Sequence, residues 1–528
     1  MIFLKKRAVT VFFLLSVFFV CLGFRTAGIA SDVQTAVISG SGIRFDIAKL
    51  RGTVYDCNLI PLTNNETLYK AVAKPTQKAM AALEKELDAA EFMLVKEKML
   101  AGEAVCVDVS SDSCNGQDIC VVEYPGRYGS YACHLIGYCG FDGSGVSGAE
   151  KAFDGQLESG KVAVTARIET DANGRVLVGE KIEVQNSEFP VQGVVLTVDR
   201  DIQKVVEDAL DSSGAQCAAA MVMDVETGAI KACVSRPAFN QYDIASALDD
   251  PDSPLINRAF LPFSVGSVFK TVVAAAALES GISSNYMYEC TGSVTLNGVT
   301  FSCHKKDGHG VLDMKGAVAN SCNTYFISLA LETGAQNIVE MAGKFGFGKE
   351  TIFADGMISR SGNMPQKVDS KAATANLSFG QGELTSTPVQ ICAMMAAVAN
   401  GGYYVEPHLV EGKVGADGVY IKEQAYTEKK RIVAPETAEQ LQMFLRAVVE
   451  EGSGKKAKSD SVACSGKTAT AQTGRFDDDG EIYNAWFAGY FPAESPKYAV
   501  VVLKEDGGEG AISCAPVFKE IAEGITEL

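Results

Sequence analysis

The feature that most restricts the fold of this chain is a set of apolar runs placed far apart in the sequence. Ala218 to Met223 and Ala229 to Val234 flank Asp224-Val225-Glu226-Thr227-Gly228, the pattern of a β-hairpin. Two further strand-like runs, Ala485 to Phe491 and Tyr498 to Leu503, come only near the end. Helical patterns fill the space between, with one more helix beginning near Asp201 and another closing the chain over Pro516 to Ile525. A sheet whose strands come from both ends of a segment, with helices between them, predicts a layered α and β architecture.

At 528 residues the chain exceeds one ordinary domain, and a change of texture near Gly193 divides it. The part before that point is mixed, with a long helical pattern from Thr76 to about Leu100. An apolar fraction of 47% with 21% charged residues is that of a folded protein. The 47 basic against 65 acidic residues leave a net charge of -18, which repels a phosphate backbone and argues against nucleic acid as a partner. Lys5, Lys6 and Arg7 precede an uncharged apolar run from Ala8 to Phe24. Small residues over Thr26 to Ala30 would suit a cleaved signal peptide, but the run exceeds the roughly 7–15 residues of a signal core. The expectation is a cytoplasmic tail over 1–7, a single-pass membrane anchor over 8–24 and an extracytoplasmic remainder.

Fifteen cysteines are many for an exported chain, and an odd number cannot all pair internally. No C-x-x-C occurs and His134, His304, His309 and His408 are scattered, so no segment shows zinc-ligand spacing. No metal or other cofactor is expected. Cys290 and Cys303 bracket a hairpin pattern, Ser293 to Phe301 with Asn297-Gly298 at its turn. They can close a local disulfide in an oxidising compartment; a reducing habitat would leave them free.

Ser-x-x-Lys occurs three times, at Ser267/Lys270, Ser302/Lys305 and Ser453/Lys456. Ser302 lies beside Cys303 and a polar Lys305-Lys306-Asp307-Gly308 segment, and Ser453 lies in a loop rich in glycine and lysine. Only Ser267 opens a helix, the apolar run Thr271 to Leu278. Positions i and i+3 share a helix face, so the Lys270 amine can reach the Ser267 hydroxyl. An apolar site near a positive helix end disfavours the charged lysine, as a base requires. Free backbone N–H groups at the helix start can hold an oxyanion. Alone, the pattern also fits a capped helix with a snorkelling lysine.

Two further segments add chemistry. Ser321-Cys322-Asn323 opens another helical stretch and sets a hydroxyl and an amide two positions apart. Gly466-Lys467-Thr468-Ala469-Thr470-Ala471 combines a cation and two hydroxyls in a form suited to an edge strand along which a peptide lies. The three motifs, in that order and with intervals of 54 (321 minus 267) and 146 (467 minus 321), resemble the penicillin-recognising serine transferases. The likeness extends to Asn257-Arg258-Ala259, Phe379-Gly380-Gln381-Gly382, Thr385-Ser386-Thr387-Pro388 and Trp486 to Tyr490. Arg51 to Asp56, Arg127-Tyr128 and Ser147 to Glu150 resemble the pedestal motifs of class B, monofunctional penicillin-binding proteins.

The resemblance implies an α+β transpeptidase fold over 191–528, a five-stranded antiparallel sheet covered by helices, and a mixed α/β pedestal over 25–190. It implies a peptidoglycan D,D-transpeptidase that attacks the D-Ala-D-Ala stem peptide, releases D-alanine, passes the acyl group to an amine and is acylated by penicillins. Ser267 would be the nucleophile, Lys270 its base and Ser321 a proton shuttle supported by Lys467. Asn323 would bind the substrate amide, and Thr468 and Thr470 its carboxylate, with the Thr470 N–H as second oxyanion donor. The family's third motif ends in glycine where this chain has Ala469. A β-lactam-hydrolysing or β-lactam-sensing relative is the alternative, and a polytopic membrane glycosyltransferase is the partner the family suggests.

Overall fold

In the computed structural model, residues 37–38, 42–158, 163–171, 173–186, 192–423, 428–477 and 480–528 are described. The expected tail over 1–7 and anchor over 8–24 lie outside them. No helix among the described residues is long and apolar enough to cross a membrane.

The distant apolar runs do form one sheet. Its strands are β1 (Ala218–Asp224), β2 (Ile230–Arg236), β3 (Ser465–Asp477), β4 (Gly480–Phe491) and β5 (Tyr498–Lys504), in the antiparallel order β2-β1-β5-β4-β3. The first hairpin therefore docks against the last strand, and the Gly466 to Ala471 segment takes the edge as expected. The interior strands are buried on both faces, which is why they read as continuous apolar runs. On one face, helix Arg200–Ser212, begun by the Asp199 cap, and the last helix, Ala515–Glu527, place Val206, Leu210, Phe518 and Ile521 against Ala220, Val222, Phe487 and Val502. On the other lies helix Pro388–Ala399, buried at every position, with Cys392 Sγ 3.5 Å from the Ala499 carbonyl. Each large apolar side chain so buried contributes about 1.5–3 kcal/mol. An exposed ion pair contributes about 0–1 kcal/mol, so the sheet core dominates this unit's stability.

The unit carrying this sheet comprises Val191–Leu528 together with Thr53–Leu62 and Ser130–Leu157 from the preceding region. Thr53–Tyr55 belongs here because it pairs in parallel with Gly193–Leu196. The second unit holds Thr63–Gly129 with flanking pieces, built on a three-stranded sheet in which Thr63–Ala73 runs between Val105–Val109 and Ile119–Tyr128. The single helix expected from Thr76 to Leu100 is two, Gln77–Leu83 and Ala89–Leu100. The break comes from Asp88, whose carboxylate accepts from the N–H groups of Ala90 and Glu91 and so starts a fresh helix.

Candidate active site

Ser267 lies on a 3-10 turn, Gly266–Phe269, which runs into helix Lys270–Glu279. The turn is held by close backbone contacts. Gly266 has φ +62°, its N–H donates to the Gly380 carbonyl at 2.9 Å, and a Cβ at Gly380 would come within 2.1 Å of the Gly266 carbonyl oxygen. On its other side a Cβ at Gly266 would meet Ala471 of β3 at 3.1 Å. Just upstream, Phe263–Ser264 pairs with Thr385–Ser386, and Trp486 Nε1 donates to the Ser264 carbonyl at 2.9 Å. The Phe379–Gly382, Thr385–Pro388 and Trp486 segments thus frame the serine. Arg258 braces the structure further back, donating to Glu505 at 2.6 Å and to the Asp252 carbonyl at 2.6 Å.

Lys270 is fully buried, and its Nζ donates to the Ser321 carbonyl (2.8 Å), Ser321 Oγ (3.2 Å) and Asn323 Oδ1 (2.7 Å). Lys467, also fully buried on β3, donates to Ser321 Oγ at 2.9 Å and to the Thr468 carbonyl at 3.0 Å. One hydroxyl therefore bridges two amines. Burial lowers Lys270 to about 7, opposed by the nearby Cys322 and Cys303 thiols, and burial followed by the charge of Lys270 holds Lys467 well below the ordinary lysine range. The side chain of Ser267 is half-buried and carries no hydrogen bond among the described residues.

Ser321 itself sits in the left-handed region, φ +52°, a conformation that costs a non-glycine residue roughly 1–2 kcal/mol. It follows helix Met314–Ala319 and precedes helix Asn323–Thr333, and the Cys322 N–H donates back to the Ala317 carbonyl at 3.0 Å. The strained turn sends Ser321 and Asn323 toward the lysines. Asn323 uses both ends of its amide, with Nδ2 donating to the Ser302 carbonyl at 3.2 Å.

The sequence-derived site residues Lys270, Ser321, Asn323 and Lys467 thus form one hydrogen-bonded cluster beside the Ser267 turn. The hydroxyls of Thr468 and Thr470 lie outside that cluster, which Thr468 joins only through its carbonyl. Thr468 Oγ1 is 3.0 Å from Ser453 Oγ, and Thr470, exposed, accepts from the Gly510 N–H at 3.3 Å. Ala469 is buried, alternating with the two threonines so that it shares a face with Lys467 and Ala471. The methyl group that replaces the family's glycine hydrogen is therefore packed inside.

Sequence reasoning passed over Phe326, Ser302 and Ser453. The Phe326 ring centroid lies 5.5 Å from Lys270 Nζ, and helical spacing three residues after Asn323 was its only signal. Ser302 and Ser453, which open no helix, meet Asn323 through a carbonyl and Thr468 through a hydroxyl, respectively. The hairpin forms, Ser293–Leu296 with Val299–Ser302 and positive φ at Asn297 and Gly298, but Cys290 and Cys303 are free thiols.

Comparison with known proteins gives the family. The family model described as the penicillin binding protein transpeptidase domain matches residues 218–523. Penicillin-binding protein PbpB of Mycolicibacterium smegmatis is 33% identical over 436 residues, covering 77% of this chain and 64% of that protein. Stage V sporulation protein D of Bacillus subtilis is 31% identical over 415 residues, covering 74% and 60%. The chain thus spans somewhat under two thirds of these relatives' length. Among solved structures, penicillin-binding protein 3 of Mycobacterium tuberculosis in complex with aztreonam aligns with a TM-score of 0.65 at 26% identity, over 92% of this chain and 96% of that one.

Proposed function

Because the chain belongs to the penicillin-binding protein transpeptidase family, we propose that it is a peptidoglycan D,D-transpeptidase working through an acyl-enzyme on Ser267. The observation that carries this reading is the Ser321 hydroxyl held between the Lys270 and Lys467 amines. Neutral Lys270 takes the Ser267 proton as Oγ attacks the penultimate D-alanine carbonyl of a stem peptide. The oxyanion is met by the N–H groups of Ser267 and Thr470. As the C–N bond breaks, the leaving D-alanine amine takes a proton through Ser321, which Lys270 and Lys467 resupply. An acceptor amine then attacks the ester and forms the cross-link. Asn323 binds the substrate amide, and Thr468 and Thr470 bind its carboxylate.

A β-lactam would acylate the same serine and lose its ring C–N bond, a reading supported by the aztreonam complex of the related penicillin-binding protein 3. The basic cluster Lys5 to Arg7 and the apolar run 8–24 support a single-pass anchor in the cell membrane, with the N-terminus inside and the catalytic unit outside. A polytopic membrane glycosyltransferase is the corresponding partner.

Labelling with a fluorescent penicillin tests the assignment. Native protein is expected to form a lasting covalent adduct and Ser267→Ala none. Unchanged labelling of Ser267→Ala would remove Ser267 from its role, and rapid loss of label from native protein would make the chain a β-lactam hydrolase instead.

A further inference from the structure

On the other side of the Ser321-Cys322-Asn323 turn lies a second cluster that the acyl-transfer chemistry does not use. Cys322, Cys303 and Cys290 are buried and His309 half-buried, and their ligand atoms all lie within 4.8 Å of one another. Cys290 Sγ is 3.5 Å and Cys303 Sγ 3.6 Å from His309 Nδ1, and Cys303 Sγ is 4.0 Å from Cys322 Sγ. A tetrahedral zinc ion with Zn–S of about 2.3 Å and Zn–N of about 2.0–2.1 Å sets its ligands about 3.8 Å apart for S···S and about 3.6 Å for S···N. The Cys290–His309, Cys303–His309 and Cys303–Cys322 separations lie within about 0.2 Å of those values. A disulfide needs sulfurs about 2.05 Å apart, so the 4.0 Å pair is not one.

The backbone around the thiols is built to this shape. Cys290 ends strand Tyr288–Cys290, which pairs with Gly310–Leu312, and Cys303 follows the Ser293–Ser302 hairpin. The Cys303 N–H donates to the Gly292 carbonyl at 2.8 Å, a Cβ at Gly292 would lie 1.9 Å from the Lys306 carbonyl oxygen, and one at Gly308 would lie 2.2 Å from that of Cys290. Two-stranded pieces of this size do not hold themselves together in water, and small elements pinned by tight turns are where structural metals occur.

We propose that Cys290, Cys303, His309 and Cys322 bind one zinc(II) ion as three thiolates and an imidazole, and that this ion fixes the turn carrying Ser321 and Asn323. Each thiol gives up its proton to solvent as its Zn–S bond forms, and zinc undergoes no redox change. Thiolate-rich tetrahedral sites favour zinc over harder cations. No open position remains for substrate, so the ion is structural. Its hold on the active site runs by two routes. Cys322 lies between Ser321 and Asn323, and the carbonyl of Ser302, next to Cys303, accepts from Asn323 Nδ2, whose Oδ1 accepts from Lys270.

The test uses the full chain, freshly reduced, given zinc(II) and freed of excess by gel filtration. Elemental analysis is expected to find one zinc per chain, and cobalt(II) in its place to show the strong visible bands of a tetrahedral thiolate site. His309→Ala is expected to weaken zinc binding at least about tenfold, whereas His309→Cys, which preserves four ligands, keeps it. Chelation should slow fluorescent-penicillin acylation of native protein, and zinc(II) should restore it. Reduced native chain that retains no zinc, an octahedral cobalt(II) spectrum, or a Cys303–Cys322 disulfide in folded protein would overturn the site. Zinc retained with no effect of chelation on acylation would overturn the coupling. Metal content is measured without reference to Ser267, so a failure of the transpeptidase reading would remain separable.

Discussion

Two polar clusters meet back to back at the turn from Ser321 to Asn323, and they are built on opposite terms. On one side are two buried lysine amines with no carboxylate partner among the described residues, sharing one serine hydroxyl. On the other are three thiols and an imidazole at the separations of a closed coordination shell. The first set is under-neutralised, so a proton moves within it at little cost. The second set has the right charge and number to be filled once and left alone. Alternation along a three-residue turn presents Ser321 and Asn323 to the movable side and Cys322 to the fixed side. The contrast teaches that rate should reside in the lysines and geometry in the thiols.

The sharpest way to break that division is to remove Lys270, the base of the proposed mechanism. Lys270→Met preserves the side chain's length and apolar stem, and penicillin acylation should fall by about 10²–10⁴. Zinc content should not change. Loss of both together would mean that the two clusters are one. Ser321→Ala is the next step down. The bridge between the amines disappears while Cys322 stays, and a loss of about 10² in acylation rate with zinc retained is expected from rapid-quench labelling.

A third measurement varies pH. With Lys270 lowered from 10.5 to about 7 by burial, the fraction of neutral base grows as pH rises through about 7, so acylation should climb and then level off above it. The same shift bears on stability. Between about 7 and 10.5 the unfolded chain holds a proton on this residue that the folded chain does not, so stability should rise with pH across that window. Urea denaturation at intervals of pH checks this, and Lys270→Met should flatten the slope. A flat acylation profile would mean that Lys270 is already neutral throughout, or is not the base.

How far the sequence shows these clusters depends on how local each one is. The sheet was legible because interior strands buried on both faces become unbroken apolar runs, even when β1 and β5 lie far apart in the chain. The lysine side was legible because three short local motifs, Ser267 with Lys270, Ser321 with Asn323 and Lys467 with Thr468, together resemble a known family, whereas spacing alone leaves a capped helix with a snorkelling lysine open. The thiol side was not. Its ligands come from a strand end, a hairpin exit, the residue before a strand and a helix cap, and only Cys303 and His309, five residues between them, stand close in sequence. The hairpin between Cys290 and Cys303 leaves a disulfide and free thiols equally open, because nothing in that stretch of sequence points to Cys322. The helix break at Asp88 was hidden for the opposite reason, since the Ala, Glu, Lys and Leu pattern continues across it and only the cap marks the restart.

The smallest expected effect tests where the lysine side ends. Ala469 replaces the glycine of the family's third motif, and a methyl group on an edge strand would obstruct a bound peptide if it faced outward. It is buried and shares a face with Lys467 and Ala471, while the exposed Thr470 faces away. Ala469→Gly therefore removes packing rather than an obstruction. The cost is about 0.5–1 kcal/mol in stability, from the added freedom of glycine in a strand, and acylation by penicillin should be nearly unchanged. Faster acylation of Ala469→Gly, with stability unaltered, would show that the methyl group limits access after all. That would extend the rate-determining side of the turn to the strand edge, beyond the two amines where the geometry now places it.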